Sequence, residues 1–133
     1  MIPNVPFITN TFFPPNQPTA RRCFEMGRAV GRALNAWKSD ARIAVFGSGG
    51  MSHFVIDEEF DRKIFAALDA RDAEALCGIG EDWLQSGTSE LKNWIAAAGL
   101  LFDTQLTGGI VGYQPCYRSA AGTGTANGFV AWK

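Results

Sequence analysis

The sequence predicts an α/β protein in which helices flank a partial sheet. Apolar residues recur at helical spacing between residues 20 and 37, which indicates an amphipathic helix. A short β-prone run at residues 42–46 then leads into a glycine-rich loop at 47–53. The chain becomes β-prone again at residues 105–113 and 128–132. A helix, a strand and a glycine-rich loop in this order are typical of layered α/β proteins.

Length and composition narrow the class of protein further. The 133 residues fit one domain, and a chain of this size buries roughly two-thirds of its unfolded surface. A net charge of -1 argues against nucleic acid as a partner, because phosphate binding needs a concentrated basic surface. No uncharged apolar stretch approaches the roughly 20 residues of a membrane span. The proline-broken start lacks the basic region of a signal peptide, so we expect no secretion signal.

The cysteines and the single histidine restrict the possible sites. Cys23, Cys77 and Cys116 are scattered and form no CxxC pair, which argues against a disulfide framework or a structural zinc site. A reducing cytoplasmic location is therefore predicted. His53 is the chain's one histidine, so one copy cannot build a site that needs two or three.

The first half of the chain contains one well-defined helix. Prolines exclude a long helix from residues 1–18, although residues 5–13 are compatible with an extended strand. The helix at 20–37 has Thr19 as its expected N-cap. Two glycines four residues apart in this helix weaken it and indicate close packing against a neighbouring element.

Apolar periodicity and turn residues predict the remaining elements. These are helices at 58–69, 73–85 and 90–98, with Gly99 as a C-cap, β-prone segments at 105–113 and 128–132, and a loop at 119–125.

His53 is the first candidate for chemistry. It follows the predicted strand and a loop containing Gly49 and Gly50, and glycines allow a ligand to approach the backbone closely. A histidine in such a place can act as a general acid or base near neutral pH. A hydrogen-bonded structural histidine explains the same pattern, and the residues alone leave both readings open.

Glu90 is the second candidate. It begins a predicted helix, where an acidic residue is favourable against the helix dipole. A carboxylate at a helix start can also reach into a cleft and bind a metal. Other chemistries are disfavoured, because the loop at 47–53 lacks the GxxxxGK[ST] and GxGxxG phosphate patterns and the GxSxG nucleophile pattern.

Four segments in a fixed order resemble a known family. They read NTFFPPNQPTARRCFEMGRAVGRAL, VFGSGGMSHF, EEFDRKIFAAL and SGTSELKNWIAAAG. Together they resemble the C-terminal half of the catalytic subunit of the class III extradiol ring-cleavage dioxygenases, of the protocatechuate 4,5-dioxygenase and gallate dioxygenase type. The resemblance covers residues 11–99 well. It is weaker over 100–133, where only 123–128 suggests the family's final loop and strand.

The resemblance implies roles for individual residues. His53 falls on the family's acid/base, which handles the proton of a substrate hydroxyl. Glu90 falls on the carboxylate ligand of a non-haem Fe(II) that two histidines complete. The residues implied to lie along the substrate are Gly49, Gly50, Ser52 and Thr123. Both histidine ligands belong to the family's N-terminal half and are not among these residues.

The resemblance also implies a function and an assembly. We expect residues 1–133 to form one domain that is the C-terminal part of a larger α/β domain, from a truncated, deliberately shortened or naturally split subunit. The implied reaction is ring opening of a catecholic substrate such as protocatechuate or gallate with dioxygen, the missing histidines coming from an N-terminal half or a separate subunit. A homo-oligomer is expected. Two alternatives stay open: an inactive oligomeric remnant, and a small-molecule binding module without iron.

Overall fold

The computed structural model describes residues 2–133 and confirms the α/β class, with helices packed on a three-stranded antiparallel sheet. In chain order the elements are α1 (Ala20–Ala36), β1 (His53–Val55), α2 (Glu58–Asp69), α3 (Ala73–Cys77), a 3₁₀ turn (Ser86–Glu90), α4 (Leu91–Leu101), β2 (Gly108–Tyr117) and β3 (Thr123–Trp132). Among the helices of these residues, none combines the length and the apolar character that a membrane span requires.

The sheet has the strand order β1-β3-β2, with β3 in the centre. β2 and β3 form a long hairpin, with a register irregularity between Ile110 and Gly112. The short strand β1 pairs with the start of β3, so that His53 lies opposite Thr125. The first residue of β1 is therefore fixed by the central strand.

Helices α1 and α4 cross with their backbones almost in contact. A Cβ added at Gly27 would overlap the carbonyl oxygen of Ala96, and one at Gly99 would overlap that of Phe24. The close packing expected for the glycines of α1 is therefore confirmed. Gly99 does not end α4 as predicted, because it lies inside the helix, where α1 needs its missing side chain.

Helix α4 also contains a buried charged residue, Lys92. Lys92 is completely buried, and its ammonium lies 2.9 Å from a carboxylate oxygen of Glu81, without the alignment of a hydrogen bond. The other oxygen of Glu81 accepts the backbone N–H of Ala20 at the start of α1. Burial raises the pKa of the nearby Cys23 thiol to about 11. These groups join α1 and α4 at a second place.

Two predicted strands are not strands in the structure. Residues 42–46 and 5–13 are irregular, and Ile43, Phe46 and Ile8 are exposed. β-propensity measures how well a side chain packs in a sheet, and no strand of residues 2–133 lies alongside either segment. The β-prone composition of these segments was therefore misleading.

Other element bounds also differ from the prediction. The helix expected at 73–85 ends at Cys77, because Gly78 caps it and irregular turns follow. The helix at 58–69 is confirmed, and the one expected at 90–98 runs from Leu91 to Leu101. The predicted loop at 119–125 is shorter, since β3 begins at Thr123.

Many large apolar side chains remain exposed, and they are referred to together as the apolar surface. It comprises the side chains of the N-terminal segment (Ile2, Val5, Phe7, Ile8 and Phe13), of residues 43–55 (Ile43, Phe46, Phe54 and Val55) and of the hairpin (Ile110, Val111 and Phe129). Where exposed apolar side chains form a contiguous patch, the patch is typical of surfaces that bind another polypeptide.

The contact between α1 and α4 can be tested with Gly27→Ala. At an exposed helix position, alanine stabilises the helix by up to about 1 kcal/mol relative to glycine. At position 27, however, its methyl group would overlap the carbonyl oxygen of Ala96. Overpacking of this kind costs about 1–3 kcal/mol. We expect urea denaturation to show a net loss of stability of that size. Gly112→Ala is the control, because its Cβ would meet only a ring atom of Phe129 at 3.9 Å, and an equal loss there would contradict the proposed cause.

Candidate functional site

His53 is held in one orientation by a backbone carbonyl and a side-chain hydroxyl. The ring nitrogen Nδ1 lies 2.8 Å from the carbonyl oxygen of Met51. The backbone N–H of His53 donates to the hydroxyl of Thr88 at 3.0 Å. A carbonyl can only accept a hydrogen bond, so the neutral ring carries its proton on Nδ1. The lone pair is then on Nε2, which makes Nε2 the atom that can take up a proton.

Glu90 faces that nitrogen across a short gap. One of its carboxylate oxygens lies 3.8 Å from Nε2 of His53 and accepts the N–H of Gly50 at 2.8 Å. The His53 side chain is 16% exposed and that of Glu90 is 47% exposed, so a small ligand could reach both. The structure thus brings together the two residues that the sequence singled out.

The first turns of α4 hold the glycine-rich loop in place. Asn93 donates to the carbonyl of Ser48 at 2.8 Å, and the indole N–H of Trp94 donates to that of Gly49 at 3.0 Å. Glu90 receives the next N–H along the loop, from Gly50. Residues three and four positions after Glu90 share its side of the helix, which explains why three side chains reach three successive loop residues.

The glycines of the site are in close contact with its two side chains. A Cβ on Gly87 would lie 2.5 Å from the Cβ of His53, and one on Gly49 would lie 2.6 Å from that of Glu90. A Cβ on Gly50 would overlap the imidazole itself. These glycines therefore make room for His53 and Glu90. A direct contact of Gly49 or Gly50 with substrate stays a prediction.

Ser52 and Thr123 lie apart from the gap between His53 and Glu90. Ser52 is buried, and its hydroxyl donates to Asp61 and accepts the N–H of Asp57. Thr123 pairs with the last residue of β1, and its hydroxyl contacts that of Ser119. Their roles in substrate binding stay predictions, whereas the residue opposite His53 is Thr125.

Backbone strain is concentrated beside the site. Phe54, directly after His53, has a φ of 67°, and Ser86, directly before Gly87, has a φ of 52°. A left-handed backbone costs a non-glycine residue roughly 1–2 kcal/mol and is often found at functional sites. Two of the three such residues in the described chain flank the His53 region.

His53 and Glu90 do not by themselves form a three-ligand iron centre. Within residues 2–133 no three His, Cys, Asp or Glu side chains gather closely enough to hold a metal. Glu90 offers one carboxylate, and the only nearby imidazole is that of His53.

The sequence prediction missed several residues that build the site. Gly87 and Thr88 lie against His53, and Asn93 and Trp94 fasten the loop. The spacing of Glu90, Asn93 and Trp94 could have indicated that their side chains lie on one side of a helix. Nothing in the sequence indicates that Thr88 binds His53.

A comparison with known protein families identifies the class of protein. The family described as the catalytic LigB subunit of aromatic ring-opening dioxygenase matches residues 1–127. The chain therefore belongs to this family of catalytic subunits of aromatic ring-opening dioxygenases.

Two curated relatives match parts of the chain. A gallate dioxygenase of Pseudomonas putida is 44% identical over 41 residues, which is 31% of this chain and 12% of the relative. A 2,3-dihydroxyphenylpropionate/2,3-dihydroxicinnamic acid 1,2-dioxygenase of Photorhabdus laumondii is 45% identical over 51 residues, 38% of this chain and 15% of the relative. The aligned segments therefore span only a small part of either relative. No solved structure gives a significant match.

The fit between Gly87 and His53 can be tested with Gly87→Ala. The new methyl group would displace the imidazole, so we expect the ring signals of this one histidine to shift in the NMR spectrum, with a stability loss of about 1–3 kcal/mol. Gly80→Ala is the control, because its Cβ would meet Trp83 at an ordinary 3.7 Å. Unchanged His53 signals in folded Gly87→Ala would contradict the described contact.

Proposed function

We propose that this chain supplies the acid/base and the single carboxylate ligand of an extradiol dioxygenase that opens catecholic rings such as protocatechuate or gallate. The observation that carries the proposal is the gap of 3.8 Å between Nε2 of His53 and the carboxylate of Glu90. Membership of the ring-opening dioxygenase family supports it. One relative is named a gallate dioxygenase, which is a reason to test gallate first.

In this proposal His53 moves the proton of a substrate hydroxyl. Because Nδ1 is engaged by the Met51 carbonyl, the proton arrives at Nε2, on the side of the Glu90 carboxylate. The carbonyl keeps the ring orientation unchanged when both nitrogens carry protons. Gly50 donates its N–H to Glu90 and so orients the carboxylate beside the imidazole.

Two histidines from polypeptide outside these residues would complete the ligand set of Fe(II). Glu90 is the ligand proposed for this chain, and His53 stays free for proton transfer. The histidines would belong to an N-terminal half of a larger α/β domain or to a separate subunit, in a cytoplasmic enzyme. The exposed apolar surface of the N-terminal segment and the sheet supports such an assembly.

A binding module without iron is the second candidate. It is favoured by the lack of three clustered ligands within residues 2–133. An inactive remnant that keeps the fold would explain the same observation. Ring-opening activity, measured with and without a polypeptide that supplies the two histidine ligands, distinguishes these two functions from a dioxygenase.

We expect the chain alone to bind Fe(II) weakly and to leave protocatechuate and gallate intact. Oxygen uptake and the ultraviolet spectrum of the aromatic ring measure this directly. Ring opening by the purified chain that Glu90→Ala abolishes would contradict the need for further ligands.

Adding the N-terminal half of the Pseudomonas gallate dioxygenase should then permit ring opening. His53→Gln should lower the rate about 10²–10⁴-fold, the usual contribution of a general acid or base. Glu90→Ala should reduce both the rate and Fe(II) binding, and the exposed Glu59→Ala is the matched control. Activity that survives His53→Gln would contradict the proposed role of His53.

We also expect the chain to self-associate when no other polypeptide covers its apolar surface. Burial of apolar area stabilises an interface by roughly 25 cal/mol per Å². Sedimentation velocity at micromolar concentration measures the assembly, and replacement of exposed Phe7 and Ile8 by serine should weaken it. A compact monomer of the unmodified chain would contradict this expectation.

A further inference from the structure

Asp61 is a completely buried carboxylate on α2. It receives three hydrogen bonds: from the backbone N–H of Ser52 at 2.9 Å, from the Ser52 hydroxyl at 2.8 Å and from the Tyr113 hydroxyl at 2.7 Å. No lysine or arginine of residues 2–133 forms an ion pair with it. A buried carboxylate is costly without such donors, so its partners show what it does in the fold.

Two of the three donors belong to the residue that precedes His53. The Ser52 hydroxyl also accepts the N–H of Asp57, which adds a second hold on its position. On the other side of the same turn, Ala126 of β3 exchanges backbone hydrogen bonds with Met51 at 2.8 Å and with Ser52 at 2.9 Å. The turn is therefore clamped between α2 and the central strand.

This clamp fixes the group that orients the imidazole. The carbonyl of Met51, which receives the Nδ1 proton of His53, belongs to the peptide unit that ends at the N–H of Ser52. That N–H donates to Asp61. The carboxylate and the imidazole thus hold opposite ends of one peptide group, and a rotation of that group would break both contacts.

We propose that Asp61 is a positioning residue that selects the tautomer of His53 by holding the peptide group between Met51 and Ser52. With this group fixed, the neutral imidazole carries its proton on Nδ1 and leaves Nε2 free towards Glu90. The purpose of that choice rests on the proposed function, because a proton acceptor facing Glu90 is what the ring-opening reaction would use. The tautomer itself can be measured without any reaction.

Tyr113 provides a matched control. It contacts the same carboxylate from β2, but it makes no hydrogen bond to the turn that carries His53. Burial, together with the hydrogen bond to Asp61, raises the pKa of its phenol, so it is a permanent donor at neutral pH. Tyr113→Phe removes one bond to Asp61 and leaves both bonds from Ser52 intact.

The experiment reads the two imidazole nitrogens of the ¹⁵N-labelled chain at a pH where the ring is neutral. His53 is the chain's one histidine, so its signals need no assignment. We expect the form protonated on Nδ1 to dominate in the unmodified chain. Ser52→Ala and Asp61→Asn should lower the ratio of Nδ1-protonated to Nε2-protonated ring about two- to tenfold, the effect of weakening one hydrogen bond. Tyr113→Phe should leave the ratio unchanged.

The proposal is overturned if folded Asp61→Asn keeps the original ratio or if Tyr113→Phe changes it equally. If Asp61→Asn does not fold, Ser52→Ala decides the matter, because it removes one of the two hydrogen bonds that join Ser52 to Asp61 and so weakens the hold on the peptide group. An unchanged ratio in that variant would then overturn the proposal. Failure of the proposed function looks different. The tautomer would still depend on Ser52, but His53→Gln would not affect ring opening in the complemented enzyme.

Discussion

The arrangement of the whole site depends on the contact between the backbones of α1 and α4. Gly27 and Gly99 allow the two helices to approach until carbonyl oxygens fill the space of missing side chains. This approach fixes the position and rotation of α4. The start of α4 presents Glu90 and fastens the glycine-rich loop, which leads directly to His53. A small change in the helix crossing would therefore shift both candidate residues at once.

The site is held mainly by hydrogen bonds to backbone groups. His53 is oriented by a carbonyl and a threonine hydroxyl, and Glu90 by an amide N–H. Such contacts survive changes of neighbouring side chains, as long as the loop keeps its path. The strained backbone at Phe54 and Ser86 is compatible with this, because strain persists only where surrounding contacts fix the conformation.

Much of the helical structure and the approximate place of strands β2 and β3 could be predicted from the sequence, whereas the strand at His53–Val55 could not. The helix at Glu58–Asp69 was predicted to the residue because its apolar spacing is regular, and the structure adds Asp57 as its N-cap. The segment at 42–46 has the composition of a strand but no strand beside it, which a single sequence does not reveal. His53 and Glu90 were candidates from their local sequence context, and the family resemblance implied their roles. The buried Asp61 was missed, because on an amphipathic helix it looks like any solvent-exposed acid.

The hydroxyl of Ser89 donates to that of Thr11 in the irregular N-terminal segment, which is thereby attached next to Glu90. Only the nine residues from Ile2 to Asn10 precede this attachment within the described chain, a reach of at most about 30 Å. Histidines fused ahead of Ile2 would thus encounter Glu90 as an intramolecular event, at an effective concentration in the millimolar range for a short flexible tether. A separate chain that carries the histidines would have to bind this chain tightly to reach the same occupancy of the site. A covalent connection and a split assembly would therefore differ most when the protein is dilute.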